Sequence, residues 1–345
     1  MFHKINLNLF SKHRTEIMGL SILWVMFFHS TIDCSGIPVI KTIKQYGNVG
    51  VDIFLLLSGI GCYYSMARIS QEQLGKTRCF IGFYKARVVR ILPATIILLM
   101  PWYMYLYQVQ EREFRILRFL GDISSLSYWM DGKNRGWYVA LTIVLYGIYP
   151  LIYYIIIKKN QFWCLFSIIV VIALNCLLVL IFPGWFANVE LALGRIPIFL
   201  FGCFIAPYVK EGKELPGLIV YIALLICLIS PSYIKWLREL TDDAFFLFRY
   251  ALGIMGGCTA IVFAVVLDHI PGIRNWILLV FSFFGNYTLE IYLSHTQIQT
   301  VLQEQHLYHS EVAISIVSAF LSIIIAVIVH ELLRSLLQKK KSNRK

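Results

Sequence analysis

Two ionisable residues stand where apolar sequence surrounds them. His29 closes the run MGLSILWVMFFH, and Asp52 opens the next, GNVGVDIFLLLSGIG. The first run leaves on the side from which the second returns, so imidazole and carboxylate share a depth. An imidazole beside a carboxylate is an oriented general base, with the acid fixing the ring and its tautomer. A helix–helix hydrogen bond without chemistry is the alternative reading of the same pair.

Five further residues fall at a similar depth: Glu190, Arg195, Arg249, Glu290 and His295. Each costs about 2.5–3.5 kcal/mol to bring into a bilayer, so such residues usually face a bundle interior and mark function. Together with His29 and Asp52 they predict a polar cavity near the outer face. Each also has a structural reading. Glu190 and Arg195 form a buried pair or touch substrate, Arg249 contacts substrate or snorkels to the interface, and His295 contacts substrate or merely ends a helix. At the opposite face, Lys85, Arg87 and Arg90 precede an apolar run in FYKARVVRILP. Arg87 and Arg90 share one face of a helix. Two arginines there suit bidentate phosphate recognition, and ordinary topogenic charge is the alternative.

What positions these residues is a membrane. Of 345 residues, 59% are apolar or aromatic and 14% charged, with mean hydropathy +0.71, against roughly 45–50% and about 25% in soluble domains. Apolar stretches near 16–32, 49–66, 91–108, 136–157, 162–182, 189–207, 217–234, 244–266, 276–297 and 311–333 come close to the ~20 residues a span needs. The expected fold is all-α, a polytopic bundle of about ten transmembrane helices in a single domain over 1–345, with both termini cytoplasmic. With that orientation 20 of the 31 Lys and Arg lie inside, 9 outside, and Arg195 and Arg249 within spans, as the positive-inside rule requires. The net charge of +12 is therefore topological and calls for no nucleic-acid partner. The basic tail 334–345 suits contact with anionic lipid. The first stretch lacks a small-residue cleavage site and is read as retained. Eight scattered cysteines with no Cys-x-x-Cys pair read as fillers of helix interfaces. His306 and His309, without carboxylate company, make no metal site.

Several segments, taken in order, resemble the acyltransferase-3 family of membrane acyltransferases. RTEIMGLSILWVMFFHS is similar to its first helix, which ends in a histidine, and GNVGVDIFLLLSGIGCYYS to its second. RVVRILPA resembles its basic pair ahead of a proline-marked helix; WYVALTIVLYGIYPLIY, RIPIFLFGCFIA and FFGNYTLEIYLSHT resemble later segments. The family places an arginine eleven positions before the histidine, where this chain has Met18; Arg14 lies one turn earlier on much the same face. The resemblance implies transfer of an acyl group, acetyl by default, from cytoplasmic acyl-CoA to a hydroxyl of an extracytoplasmic glycan in a bacterial cytoplasmic membrane. It makes acetyl-CoA the donor co-substrate, without a metal, held by Arg87, Arg90 and Arg14. His29 then deprotonates the acceptor or carries the acyl group transiently, with Asp52 orienting it. Trp137 and Tyr138, at the outer end of the fourth stretch, stack on a sugar or belong to the interfacial aromatic belt. The rival from another class is a transporter of a small polar solute, which intramembrane charge and a Gly253-x-x-x-Gly257 packing motif also suit.

Overall fold

The computed structural model describes residues 4–71, 75–109, 114–158, 160–240, 245–269, 274–306, 308 and 310–342. The long helices are α1 (Arg14–His29), α2 (Val49–Gln71), α3 (Lys76–Val109), α4 (Trp137–Leu151), α5 (Trp163–Ile181), α6 (Pro183–Leu193), α7 (Ile196–Glu211), α8 (Leu218–Leu240), α9 (Phe248–His269), α10 (Arg274–Asn286), α11 (Thr288–Glu304) and α12 (Glu311–Ser342). A π-helical turn over Ile152–Ile157 extends α4. Among the described residues the only sheet is a pair of three-residue strands, β1 (Lys4–Asn6) and β2 (Glu214–Pro216), antiparallel with Ile5 opposite Leu215.

All ten expected spans are helical, and eight of them are long and apolar enough to cross a membrane by themselves, counting α6 and α7 as one. The chain is an all-α polytopic bundle. The first span, α1, has 16 residues and so is about 24 Å long. The span expected at 276–297 is two helices, α10 and α11, bent by 73° at Tyr287. Two residues ahead of the bend, Gly285 packs against α1: a Cβ there would overlap the carbonyl of Thr15, and one on Gly19 would overlap that of Phe281. α10 and α1 therefore touch backbone to backbone, as small residues allow inside bilayers. Thr288 caps the kink with its hydroxyl, which donates to the Gly285 carbonyl at 2.8 Å.

α2 is the axis of the bundle. Residues Ile53 to Leu57 are almost completely buried, which explains why its sequence is apolar all round. α7, α1 and α9 pack around it. By contrast α5 leaves Ile169, Leu177 and Leu180 exposed, a lipid-facing surface. α3 has 34 residues, about 51 Å, which outruns a ~30 Å hydrocarbon core. Most of the expected inner loop 67–90 is thus helix, and Arg87 and Arg90 ride on it at i, i+3.

One end of the bundle is tied together by β1–β2 and by an ion pair between Lys12 and Asp268. Arg14, opening α1, and His330, in the second half of α12, line one cavity at that end. As far as the described residues reach, the basic tail from 334 simply continues α12. At the other end, Ile116–Ile123 turns Ile116, Leu117 and Leu120 outward, the placement of an interfacial helix.

Candidate active site

His29 occupies the last position of α1 and meets a different partner from the one its depth suggests. Its Nδ1 lies 3.0 Å from the Val25 carbonyl oxygen and 3.2 Å from Nε2 of His295. His295 Nδ1 lies 3.0 Å from the Ile291 carbonyl. Carbonyls only accept, so His295 carries its proton on Nδ1 and offers a lone pair from Nε2. His29 Nδ1 then carries a proton too, shared between Val25 and His295. In the neutral ring the tautomer follows from these contacts: His29 Nε2 is then unprotonated and, among the described residues, has no protein partner. That nitrogen is the one a hydroxyl proton can reach. Gln299 pins the same helix end by donating to the His29 carbonyl at 2.9 Å.

The expected contact of His29 with Asp52 is not made. Asp52 is fully buried and pairs with Arg195, Nε to Oδ1 at 3.3 Å. Depth was matched but azimuth was not. Asn48, just ahead of α2, and Val51 on it face the histidine cavity, and Asp52 lies about 100° further round the helix than Val51. There it meets α9, which Gly256 brings so close that a Cβ would sit 3.1 Å from the Cβ of Asp52. The Glu190–Arg195 pair is likewise exchanged: Glu190 accepts from Arg249 at 2.7 Å.

The histidine pair lines a cavity of about 490 Å³ with Arg135, Trp137, Arg195, Arg249, Gln299 and Tyr292. Arg195, which with Gly194 separates α6 from α7, stands over the Trp137 ring at 5.0 Å. Arg135 stacks on Trp102 at 4.9 Å and donates to Thr300 at 2.6 Å. Neither Arg135, Gln299 nor Tyr292 was singled out from sequence. Tyr292 was within reach, since it precedes His295 by three residues and shares its helix face.

A second cavity, of about 370 Å³, lies toward the end of the bundle that holds β1 and β2. Arg14, Arg87, Arg90, Met18, Tyr138 and His330 are among its walls. Arg87 donates to the Gly61 carbonyl at 3.1 Å and faces the Tyr146 ring at 4.9 Å. Among the described residues no carboxylate pairs with Arg14, Arg87 or Arg90, so three cations surround a space without an anion. Glu290 belongs on this side, not with the outer group, because its carboxylate accepts from His330 at 3.0 Å. Tyr138 also opens here, so of the adjacent aromatics Trp137 faces one cavity and Tyr138 the other. Tyr292 lines both. Its ring lies 5.2 Å from Tyr138 and 6.0 Å from His295, a wall one aromatic layer thick between the arginines and the histidines.

Comparison of the sequence with family models decides what kind of protein carries this pair of chambers: the model described as an acyltransferase domain matches residues 19–331. The chain belongs to the acyltransferase-3 family. No curated protein and no solved structure matches it significantly. As a multi-pass membrane acyltransferase it keeps nearly every residue of both chambers inside the matched region; Arg14, Thr15 and Met18 lie just ahead of it. Among the described residues no group of His, Cys, Asp and Glu comes together that could hold a metal ion; His309 is outside them. In this acyltransferase the Gly253-x-x-x-Gly257 motif is not a packing motif. A Cβ on Gly257 would meet only Ile198, at 3.9 Å.

Proposed function

We propose that this acyltransferase moves an acetyl group from cytoplasmic acetyl-CoA to a hydroxyl of a glycan on the outer side of a bacterial cytoplasmic membrane. The observation that carries the reading is the pair of chambers sharing Tyr292, one walled by unpaired arginines and one holding a histidine with a free basic nitrogen. Arg14, Arg87 and Arg90 hold the donor's phosphates as charge-assisted partners. The pantetheine arm, thin and flexible, passes between Tyr138 and Tyr292 to bring the thioester beside His29. Trp137 offers a face for the sugar, and Arg135, Arg195 and Arg249 surround it with donors.

The transfer needs no redox partner. His29 Nε2 takes the acceptor's hydroxyl proton as the oxygen attacks the thioester carbonyl carbon. Negative charge on the carbonyl oxygen develops in a cavity lined by guanidinium groups, the electrostatic help such steps use most. The carbon–sulfur bond then breaks, the ester remains on the glycan, and the thiolate recovers the proton from His29. His295 holds the His29 ring through Nδ1 throughout. Asp52 acts one step removed, by fixing Arg195.

The test is transfer of labelled acetyl from acetyl-CoA to glycan in inverted membrane vesicles. His29→Ala and His29→Gln are expected to lower transfer by roughly 10²–10⁴-fold, the usual worth of a general base, at unchanged protein abundance. Near-normal transfer in either variant removes His29 from the mechanism. Helices interrupted at Gly194–Arg195 and at Tyr287 favour one other reading, since transporters build solute sites at broken helices. Concentrative uptake of a polar solute by proteoliposomes, with no acyl transfer, would decide for it.

A further inference from the structure

A third cavity, of about 460 Å³, borders the outer chamber and differs from it in chemistry. Its walls come mainly from α5, α7, α8 and α9, and they are almost entirely apolar: Ile172, Ile198, Ile205, Ile222 and Ile261 are typical. Ile254, Ile222 and Phe201, on its rim, are exposed in the isolated chain, so the cavity is a groove open sideways to the bilayer. Its floor is Gly253 and Gly257. A Cβ on either would meet Ile198 only at ordinary contact distance, 3.5 and 3.9 Å. Contrast Gly256, where a Cβ would press on Asp52 and Val49 at 3.1 and 3.3 Å. Gly256 allows two helices to touch; its two neighbours keep space empty.

The groove has a polar end. Arg249 lines both it and the histidine chamber, and Asp52 lines it from the other side of the Arg195 pair. Arg249 spends Nη2 on Glu190 and leaves a buried Nε without a partner. From Arg249 to Ile261 the groove follows α9 for twelve residues, about 18 Å. One leaflet of a ~30 Å hydrocarbon core is about 15 Å deep. An apolar slot of that length, ending at a cation beside the reactive chamber, fits a lipid tail whose head sits at Arg249.

We infer that the groove holds the lipid anchor of the acceptor: a long-chain lipid phosphate that carries the glycan, its tail along Gly253 and Gly257, its phosphate at Arg249 and its sugar beside His29. This rests on the glycan-acceptor reading above and adds that the acceptor arrives laterally, from the membrane, rather than from water. The shared Arg249 links anchor and chemistry. A phosphate there accepts from the free Nε, while Glu190 on the far side of the guanidinium holds the arginine in place.

The test uses two probes on the whole protein in vesicles. Hexadecyl phosphate bearing a diazirine in its chain is photolysed with wild type, Gly257→Ala and Gly257→Leu. Labelling is expected on α7, α8 and α9, retained in Gly257→Ala and reduced in Gly257→Leu by roughly tenfold or more, the worth of about two buried methylenes. Excess phosphatidylglycerol should leave it in place; suppression by that lipid would mean bulk lipid fills the slot, and the proposal falls. The second probe is the glycan with labelled acetyl-CoA, either on its lipid carrier or released from it by mild acid. Gly257→Leu should lower kcat/KM for the lipid-borne form to a similar extent and spare the released form. Equal loss of both, or of neither, overturns the anchor. Transfer to neither form by wild type would instead remove the glycan-acceptor reading, and the anchor with it, even if labelling of the groove persists.

Discussion

The base proposed at His29 is held by the ring of His295, not by a carboxylate, and that sets what His295 is worth. A neutral hydrogen bond contributes about 0.5–1.5 kcal/mol, so His295→Ala should lower kcat by roughly 2–13-fold, well short of the loss expected for His29→Ala. The KM for acyl-CoA should not move, because His295 lies beyond Tyr292 from the arginines. His295→Gln, whose amide oxygen can accept from Nδ1, should recover part of the rate. For Asp52 the expectation is different. Removing one partner of a buried ion pair costs about 3–5 kcal/mol, so Asp52→Ala should chiefly destabilise the protein, read by thermal unfolding in detergent. Asp52→Asn combined with Arg195→Gln should regain much of that stability; a direct partner of His29 would show no such rescue. The identity of both residues, and their burial, was legible in the sequence because charge inside apolar runs is rare. Their pairing was not. Depth follows from counting along a span, whereas the direction a side chain takes around α2 depends on where α7, α9 and α11 stand, and nothing within 49–71 states that.

Elements were legible in proportion to their regularity. All ten apolar stretches are helical, two of them as broken pairs, yet the three departures from plain spans all carry candidate site residues. α3 begins at Lys76, fourteen residues ahead of Arg90, and so converts two loop arginines into one helical face. Substituting Gln at both Arg87 and Arg90 should raise the KM for acetyl-CoA by roughly 10- to 100-fold, at about 1.5–3 kcal/mol for hydrogen bonds to a charged group, with kcat largely retained and a weaker dependence on added salt, since Arg14 remains. Steady-state kinetics in vesicles open to donor would check it. The break at Gly194–Arg195 and the 73° bend at Tyr287 were hidden because hydropathy averages over both. Only the glycines at 194 and 285 hinted at them, and glycine inside an apolar stretch has many uses. Arg195 and His295 reach the same chamber because those breaks let short helices turn inward.

At the scale of the molecule, the class and membrane character were plain from composition, whereas the donor–acceptor reading came from the resemblance to the acyltransferase-3 family, which basic residues at one face and buried polar residues at the other merely fit. What sequence could not supply was the partition. Tyr138 and Tyr292 lie far apart in the chain and meet only when α4 and α11 cross, with rings 5.2 Å apart. An unliganded protein should therefore be tight to protons. In vesicles loaded with a pH-sensitive dye, wild type should hold an imposed gradient, Tyr292→Ala should dissipate it, and acetyl-CoA should slow the leak by occupying the gap. A tight Tyr292→Ala variant would show that the wall is not where these rings stand.

That thin wall bears on the economy of the cell as much as on catalysis. Each elementary charge crossing a membrane gives up about 2.3 kcal/mol per 100 mV, so a standing hole through every copy would drain any potential held across it. On the proposed reading, two phenols that part only for a slender guest would let an activated acyl group cross while the battery stays charged.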